Sequence, residues 1–232
     1  MIISNDMTWK THLYGNNLTG DDKIVGLVTK LSQRVGILSK LVKIMTPSQF
    51  SKVCDGLFTS KLTNCLEVFG NVWGLENLDE ETRRTPAFNK EDNRRLQVVQ
   101  NKCLRLRTGL GRDTPTADLV KAAGDLSVHQ WTAFMTIMTV FRVLKSGKPK
   151  YLADKMQLRR PGGDNVARVP LRHQHTITIE RRDIAVARGG FVYRGAALFN
   201  SLPLELRQET SQLTFKRRVK KWVSESILVK PP

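Results

Sequence analysis

The stretch between Ser127 and Gly147 constrains the fold most. At about 100° per residue, Trp131, Phe134, Met135, Ile137, Met138, Phe141 and Leu144 spread over more than half the circumference of a helix. A helix apolar over so wide an arc must be buried between neighbours, so the chain has to supply further apolar helix faces. Ser127 and Gln130 read as a capping box that opens the helix Val128–Ser146, and Gly147–Pro149 breaks it. Thr132, Thr136, Thr139 and Arg142 interrupt the run. No stretch reaches the roughly 18 apolar residues of a membrane span.

The required partners follow from the same periodicity. Ile24, Val28, Leu31, Val35, Leu38, Val42 and Met45 repeat at alternating steps of four and three. That spacing fits a coiled-coil dimer. It also fits an intramolecular helical hairpin, which is preferred because the run stays near three heptads, and which predicts a monomer. The hairpin partner begins at Thr46-Pro47-Ser48-Gln49, with Thr as N-cap, Pro at the first helical position and Gln at the third. Phe50, Val53, Cys54, Leu57 and Phe58 continue an apolar face toward Phe69 and Trp73. Gly74–Asp92 is acidic and rich in turn residues, and reads as an exposed loop. In Arg94–Gly109, Leu96, Val99, Cys103, Leu106 and Leu110 fall on one side of a helix, with Arg94, Asn101, Lys102 and Arg105 on the other. Gly109 and Gly111 should end it. Thr114-Pro115 starts a short helix to about Ala123. The last helix spans about Gln212 to Leu228, with Phe215, Val219, Trp222 and Val223 opposite Arg217, Lys220 and Lys221.

Charge divides the chain sharply. Residues 1–92 hold 11 Lys/Arg and 11 Asp/Glu, whereas residues 93–232 hold 27 and 10, so the entire formal net charge of +17 lies in the second part. With a pI near 10.2, this asymmetry favours a polyanionic partner, nucleic acid before membrane. Two basic surfaces are candidates. One is the central helix with Arg94, Lys102, Arg105, Arg107 and the following Arg112; the other is the last helix with Arg217, Lys220 and Lys221. Guanidinium groups suit phosphate oxygens through bidentate hydrogen bonds. The run Lys216–Lys221 reads equally as a nuclear-import signal or as a solvated helix face.

Other chemistry is weakly represented. Cys54, Cys65 and Cys103 form no CxxC pair and read as reduced, buried thiols of an intracellular protein, nuclear or cytoplasmic. His173-x-His175 lacks the further ligands of a structural zinc site, and His129 reads as a packing residue. No metal site, cofactor or catalytic group is nominated. From Leu158 the texture changes: Val166–Leu171, His175–Glu180 and Ile184–Ala187 show strand-like alternation, and Ala196–Asn200 looks helical. The expected fold is mainly α: a helical hairpin and a helical bundle over 23–157, with the acidic loop near 74–92, then a small basic α+β segment over 158–232.

Three stretches carry a resemblance. Ser60–Gly74, SKLTNCLEVFGNVWG, resembles the "leucine-glutamate-tyrosine … tryptophan-glycine" helix that follows the palm in reverse transcriptases of non-LTR retrotransposons, of the jockey-like kind. Leu96–Gly109, LQVVQNKCLRLRTG, is similar to their "valine-glutamine-asparagine … arginine … threonine-glycine" helix. Phe191–Arg207, FVYRGAALFNSLPLELR, resembles their C-terminal "tryptophan-asparagine-serine-leucine-proline" element, with Phe199 in place of the usual tryptophan. The matched positions are Glu67, Trp73, Gln100, Asn101, Arg105, Asn200, Ser201, Leu202 and Pro203. Ser4–Leu13 looks like the segment just after the last palm strands, which would make 1–22 a remnant of palm edge and linker.

The resemblance implies the thumb and C-terminal part of a polymerase, closing on RNA, DNA or an RNA–DNA hybrid, with the palm and fingers of the parent polymerase as further partners. The family's paired aspartates, which hold Mg²⁺ for nucleotidyl transfer, would lie before Met1. Asp21-Asp22 is the only Asp-Asp pair here, and it sits in a polar loop where acidic residues favour a helix N-terminus. Alternatively, the chain is a structural or oligomerisation module, or a retroelement relic without function. The expectation is no primer extension on a primed RNA template with Mg²⁺ or Mn²⁺. Incorporation that disappears in Asp21→Asn/Asp22→Asn would overturn it.

Overall fold

A computed structural model describes residues 25–64, 66–70, 90–158, 175–178 and 191–227. These residues are mainly helical and fall into two compact units. The first is built from residues 25–64 and 90–128, the second from residues 66–70 and those after 128. The boundary expected near 157 thus falls inside the second unit. Among the described residues, no helix is long and apolar enough to cross a membrane.

In the first unit, α1 spans Val25–Leu41 and buries Leu27, Leu31 and Leu38. The expected seam is shifted: Val28, Val35 and Val42 are only half-buried and Leu27 takes the inner position. α1 meets more than a hairpin partner, because it packs both on that partner and on the central helix, so its apolar stripe is broader than a heptad seam. Thr46 caps the next helix as expected. Its backbone N–H donates to Gln49 Oε1 at 3.2 Å and its Oγ1 accepts from Gln49 N at 3.4 Å, a complete capping box ahead of Pro47.

The hairpin partner is α2 (Pro47–Cys54), a π-helical turn (Asp55–Thr59) and α3 (Ser60–Thr63) in one continuous path. Phe50, Cys54, Phe58 and Leu62 line its inner side at four-residue steps. On a 3.6-residue helix each such step drifts by about 40°. The wider π turn takes that drift back and keeps the row in register. It also swings Leu57 outward to 38% exposure, against expectation. Arg34 and Ser60 donate to the carbonyls of Leu57 and Gly56 within this turn.

The central helix, α5, spans Lys90–Thr108; the label α4 belongs to Leu66–Phe69 in the second unit. α5 starts earlier than expected and takes Glu91 and Asp92 into its first turn, where acidic side chains oppose the helix dipole. It stops at Gly109, whose φ of +73° suits glycine and whose N–H reaches the Arg105 carbonyl at 2.8 Å. The buried face consists of Asn93, Leu96, Gln97, Val99, Gln100, Cys103 and Leu104. The predicted Leu106 is half-buried and Leu110 is 38% exposed. The helix is turned so that amides, rather than those two leucines, enter the core.

These amides are paired. Gln97 Nε2 donates to Gln100 Oε1 and to Asn101 Oδ1, both at 2.9 Å, and Gln97 Oε1 accepts from the Val128 N–H at 2.9 Å. Gln100 Nε2 donates to the Leu126 carbonyl at 2.7 Å, and Asn101 Nδ2 to Thr116 Oγ1 at 2.9 Å. The row joins α5 to the start of α6 (Thr116–Ala123) and to the turn at 126–128. α6 itself has the expected bounds, with Pro115 before it and Gly124 in the left-handed conformation after it.

The second unit is organised on α7, Val128–Ser146, whose bounds match the sequence expectation. Ala133, Phe134, Ile137, Met138, Val140, Phe141 and Val143 are buried, whereas Trp131, Met135 and Leu144 are half-buried. α8 (Lys150–Ala153), α9 (Phe191–Asn200), α10 (Leu204–Arg207) and α11 (Gln212–Ser226) follow. Gly195 lets α9 approach closely: a Cβ there would lie 2.7 Å from Val140 Cγ2. The Phe141 and Phe215 rings stack at 3.9 Å. Gln130 Nε2 donates to the Ile227 carbonyl at 2.9 Å, closing the end of α11.

The small α+β segment is not seen among the described residues. There, one antiparallel bridge, Leu158 to Ile177, stands in place of strands. The strands expected at Val166–Leu171 and Ile184–Ala187 lie outside the described residues, as do Asp21-Asp22, Trp73 and His173.

The amide row yields a stability prediction. Gln97→Ala removes the acceptor of the Val128 N–H hydrogen bond and leaves the buried Gln100 Oε1 without its Gln97 donor. An orphaned buried polar group costs about 1–3 kcal/mol, so a loss of that size is expected in urea denaturation. A change within the range of surface substitutions would remove the row's structural role.

Candidate functional site

The basic side chains of the central helix divide by their position around it. Arg94 is outside, but its guanidinium forms a fork with Glu91: Nε to Oε2 and Nη2 to Oε1, both 2.7 Å, with Arg95 Nε 3.3 Å from Oε1. The Arg94 hydrogen bond holds the Glu91 carboxyl below its ordinary range. Arg105 donates from Nε to the Gly111 carbonyl at 3.1 Å and from Nη2 to the Arg112 carbonyl at 2.9 Å. It therefore shapes the loop after α5 and brings Arg112 close to the end of the helix. Arg107, expected on the basic surface, instead faces the buried side. Its Nη1 lies 3.2 Å from Asp55 and 3.9 Å from Asp125. Lys102 and Arg112 are exposed and make no ion pair among the described residues.

On α11, Phe215, Val219 and Val223 are buried, and Arg217 and Lys221 lie on the opposite face. Arg217 is exposed; Lys221 is 4.0 Å from Glu225, a solvent-facing pair of little strength. Lys220 lies 5.7 Å from the Trp131 ring centroid, and Trp131 meets Phe134 edge-on at 5.5 Å. Arg218, not nominated from sequence, pairs with Glu205 at 3.4 Å and Glu209 at 3.5 Å. Of the nominated cations among the described residues, Lys102 and Arg112 in the first unit and Arg217 and Lys221 in the second are exposed.

The motif positions hold the chain together. Gln100 and Asn101 belong to the amide row, and Arg105 to the loop. The Asn200 carboxamide meets the Ile177 backbone twice, accepting from its N–H at 2.8 Å and donating to its carbonyl at 3.0 Å. Ser201 Oγ donates to the Leu198 carbonyl at 2.7 Å, Leu202 is buried and its carbonyl accepts from Arg207 Nε at 3.0 Å, and Pro203 precedes α10. Arg194, buried on α9, donates to the Gly70 carbonyl, and burial lowers its guanidinium to about 10. Sequence reasoning passed over Gln97 and Arg194, and assigned Arg107 to the basic surface rather than to Asp55 and Asp125. The available signal was spacing: Gln97, Gln100 and Asn101 recur at i, i+3 and i+4 beside Leu96 and Cys103, the positions of a buried face.

Among the described residues, no group of three or more His, Cys, Asp or Glu could hold a metal ion. Comparison with family models, with curated proteins and with solved structures finds no match.

Glu67 on α4 is the titratable motif position. Its Oε2 is buried with no hydrogen-bond partner among the described residues, and desolvation raises the carboxyl above its ordinary range. A raised folded-state value means that the stability it permits is complete below the unfolded value of about 4.3 and is lost as pH rises through the folded value. Glu67→Gln, which cannot ionise, should therefore gain stability relative to the parent as pH rises from acid to neutral, read from urea midpoints. A difference that does not change with pH would contradict this.

Proposed function

We propose that this chain grips the backbone of RNA, DNA or an RNA–DNA hybrid without reading sequence, as a non-catalytic C-terminal fragment of a retrotransposon-derived RNA-directed DNA polymerase. The charge asymmetry carries the reading: every unit of the net +17 lies from residue 93 onward. The order of the three stretches resembling post-palm reverse transcriptase segments supports it, as does the outward placement of Lys102, Arg112, Arg217 and Lys221. An A-like hybrid offers phosphates and a wide minor groove that are recognised by shape. In this reading residues 23–157 are thumb-like, residues 158–232 form a basic α+β segment, and the chain acts inside the cell as a monomer without a cofactor of its own. The alternative is an oligomerisation module, favoured by Val25 and Ile37 on α1 and Ile44 beyond it, which are 49%, 53% and 78% exposed.

The test is a salt titration of fluorescence anisotropy on hybrid and duplex DNA. Each neutralised phosphate releases counterions, so log K against log salt should fall with a slope of about 0.9 per contact. Lys102→Ala/Arg112→Ala should flatten the slope by about two units or slightly less, for hybrid at least as much as for DNA. An Arg94→Ala change should matter less, because Glu91 already neutralises that side chain. Loss confined to Arg217→Ala/Lys221→Ala would move the grip to α11. No binding at low salt, together with a concentration-dependent dimer in sedimentation, would replace the proposal by the oligomerisation reading.

A further inference from the structure

Two cations of the second unit lie over aromatic rings. Lys145 Nζ is 5.8 Å from the Phe141 centroid, but Phe141 is 6% exposed and already stacked on Phe215. Lys220 Nζ is 5.7 Å from the Trp131 centroid, and both of these residues are only half-buried. Trp131 is thus a ring that solvent reaches at the border of a basic helix. Its neighbour fixes its place. Gln130 Nε2 donates to the Ile227 carbonyl at 2.9 Å and reaches the Ser224 carbonyl at 3.5 Å, which ties the end of α11 to the start of α7.

Charge around α11 is arranged by side. At about 100° per residue, Lys216 and Lys220 border the buried row Phe215, Val219 and Val223 on the side of Trp131, with Arg217 next outward. Arg218 borders that row on the opposite side, where it meets Glu205 and Glu209. Lys216 and Arg217 are exposed and make no ion pair among the described residues. Lys216 and Lys220 are one turn apart, about 6 Å at 1.5 Å per residue, so both can reach phosphates of one strand.

We propose that the Trp131 ring and the Lys216–Lys220 flank of α11 form a subsite for single-stranded nucleic acid, in which the cations hold phosphates and one unpaired base lies on the indole. The subsite rests on the backbone-grip reading above and adds to it the form of strand that is held. A cation about 6 Å from a ring centroid is at the limit of the contact. The Lys220 ammonium therefore gives up little on moving to a phosphate, and the indole face is then open to a base. Such stacking accepts any base, because each has a π face. It requires an unstacked base, which single strands, loops and ends supply and a duplex interior does not.

The test uses the full chain and two labelled oligomers of equal length and charge, one of thymidine nucleotides and one with abasic sugars in their place. By anisotropy at low salt, the thymidine strand should bind about five- to a hundredfold tighter. Trp131→Leu should abolish that preference without weakening the abasic strand or flattening the slope of log K against log salt. Lys216→Ala/Lys220→Ala should weaken both strands and flatten the slope by about 1.4 units, at about 0.7 per single-strand contact. With Trp9→Phe/Trp73→Phe/Trp222→Phe, Trp131 is the remaining emitter, and the thymidine strand alone should quench it, which reads the ring without altering it. Equal binding of the two strands by the unaltered chain, or a preference that survives Trp131→Leu, would overturn the subsite and leave the backbone grip standing. So would a Trp131 emission that both strands change alike. No binding of either strand at low salt would remove the grip and the subsite together.

Discussion

Burial of carboxamides on α5 sets the form of the first unit. Gln100 is 1% exposed and Gln97 is 9% exposed, and a buried amide is tolerated only when its donors and acceptors are met. The partners they find are Asn101, the Leu126 carbonyl and the Val128 N–H, with Asn101 extending the row to Thr116. Satisfying them fixes the rotation of α5, and that rotation decides which cations face outward. Lys102 is exposed, whereas Arg107 is turned toward Asp55 and Asp125. The candidate basic surface is thus chosen by uncharged residues, through a polar network whose geometry is far more directional than apolar contact.

The second unit follows the opposite logic. α7 is buried mainly by apolar contact, including the stacked Phe141–Phe215 pair and the close passage of α9 at Gly195. Such contact is forgiving in direction but strict in volume. Its buried polar groups are answered locally or at element ends, as where Thr136 Oγ1 donates to the Thr132 carbonyl and Gln130 meets the last carbonyls of α11. Trp131, at the edge of the apolar arc, is shared between Phe134 and the Lys220 ammonium. A cation expected to meet phosphate is thereby partly occupied within the protein.

What was legible in the sequence was local. The Thr46 capping box, the bounds of α6 and α7, the start of α11 at Gln212 and the stop at Gly109 all depend on residues within a few positions of one another. The face of α5 was misjudged because glutamine counts as a solvent residue until a partner is known, and Leu126 and Val128 lie about thirty positions away. The π turn left no mark beyond the four-residue spacing of Phe50, Cys54, Phe58 and Leu62. Among the cations, the Glu91–Arg94 pair was readable from its i,i+3 spacing, whereas Arg107–Asp55 joins residues 52 apart. Basic composition therefore overstated the cations available for a partner.

Asn200 carries a consequence of a different kind. Its carboxamide answers both backbone groups of Ile177 in the manner of a neighbouring strand, while Thr178 N–H turns the other way to the Gln157 carbonyl at 3.1 Å. A strand edge with open N–H and C=O groups is a template on which a second molecule can grow a sheet. At Ile177 that template is occupied by a side chain, which pairs but cannot be extended. Asparagine is suited to the task because it offers one donor and one acceptor side by side; an aspartate would set a carboxylate against the Ile177 carbonyl. One amide thus answers both backbone groups of Ile177 at the one bridge among the described residues.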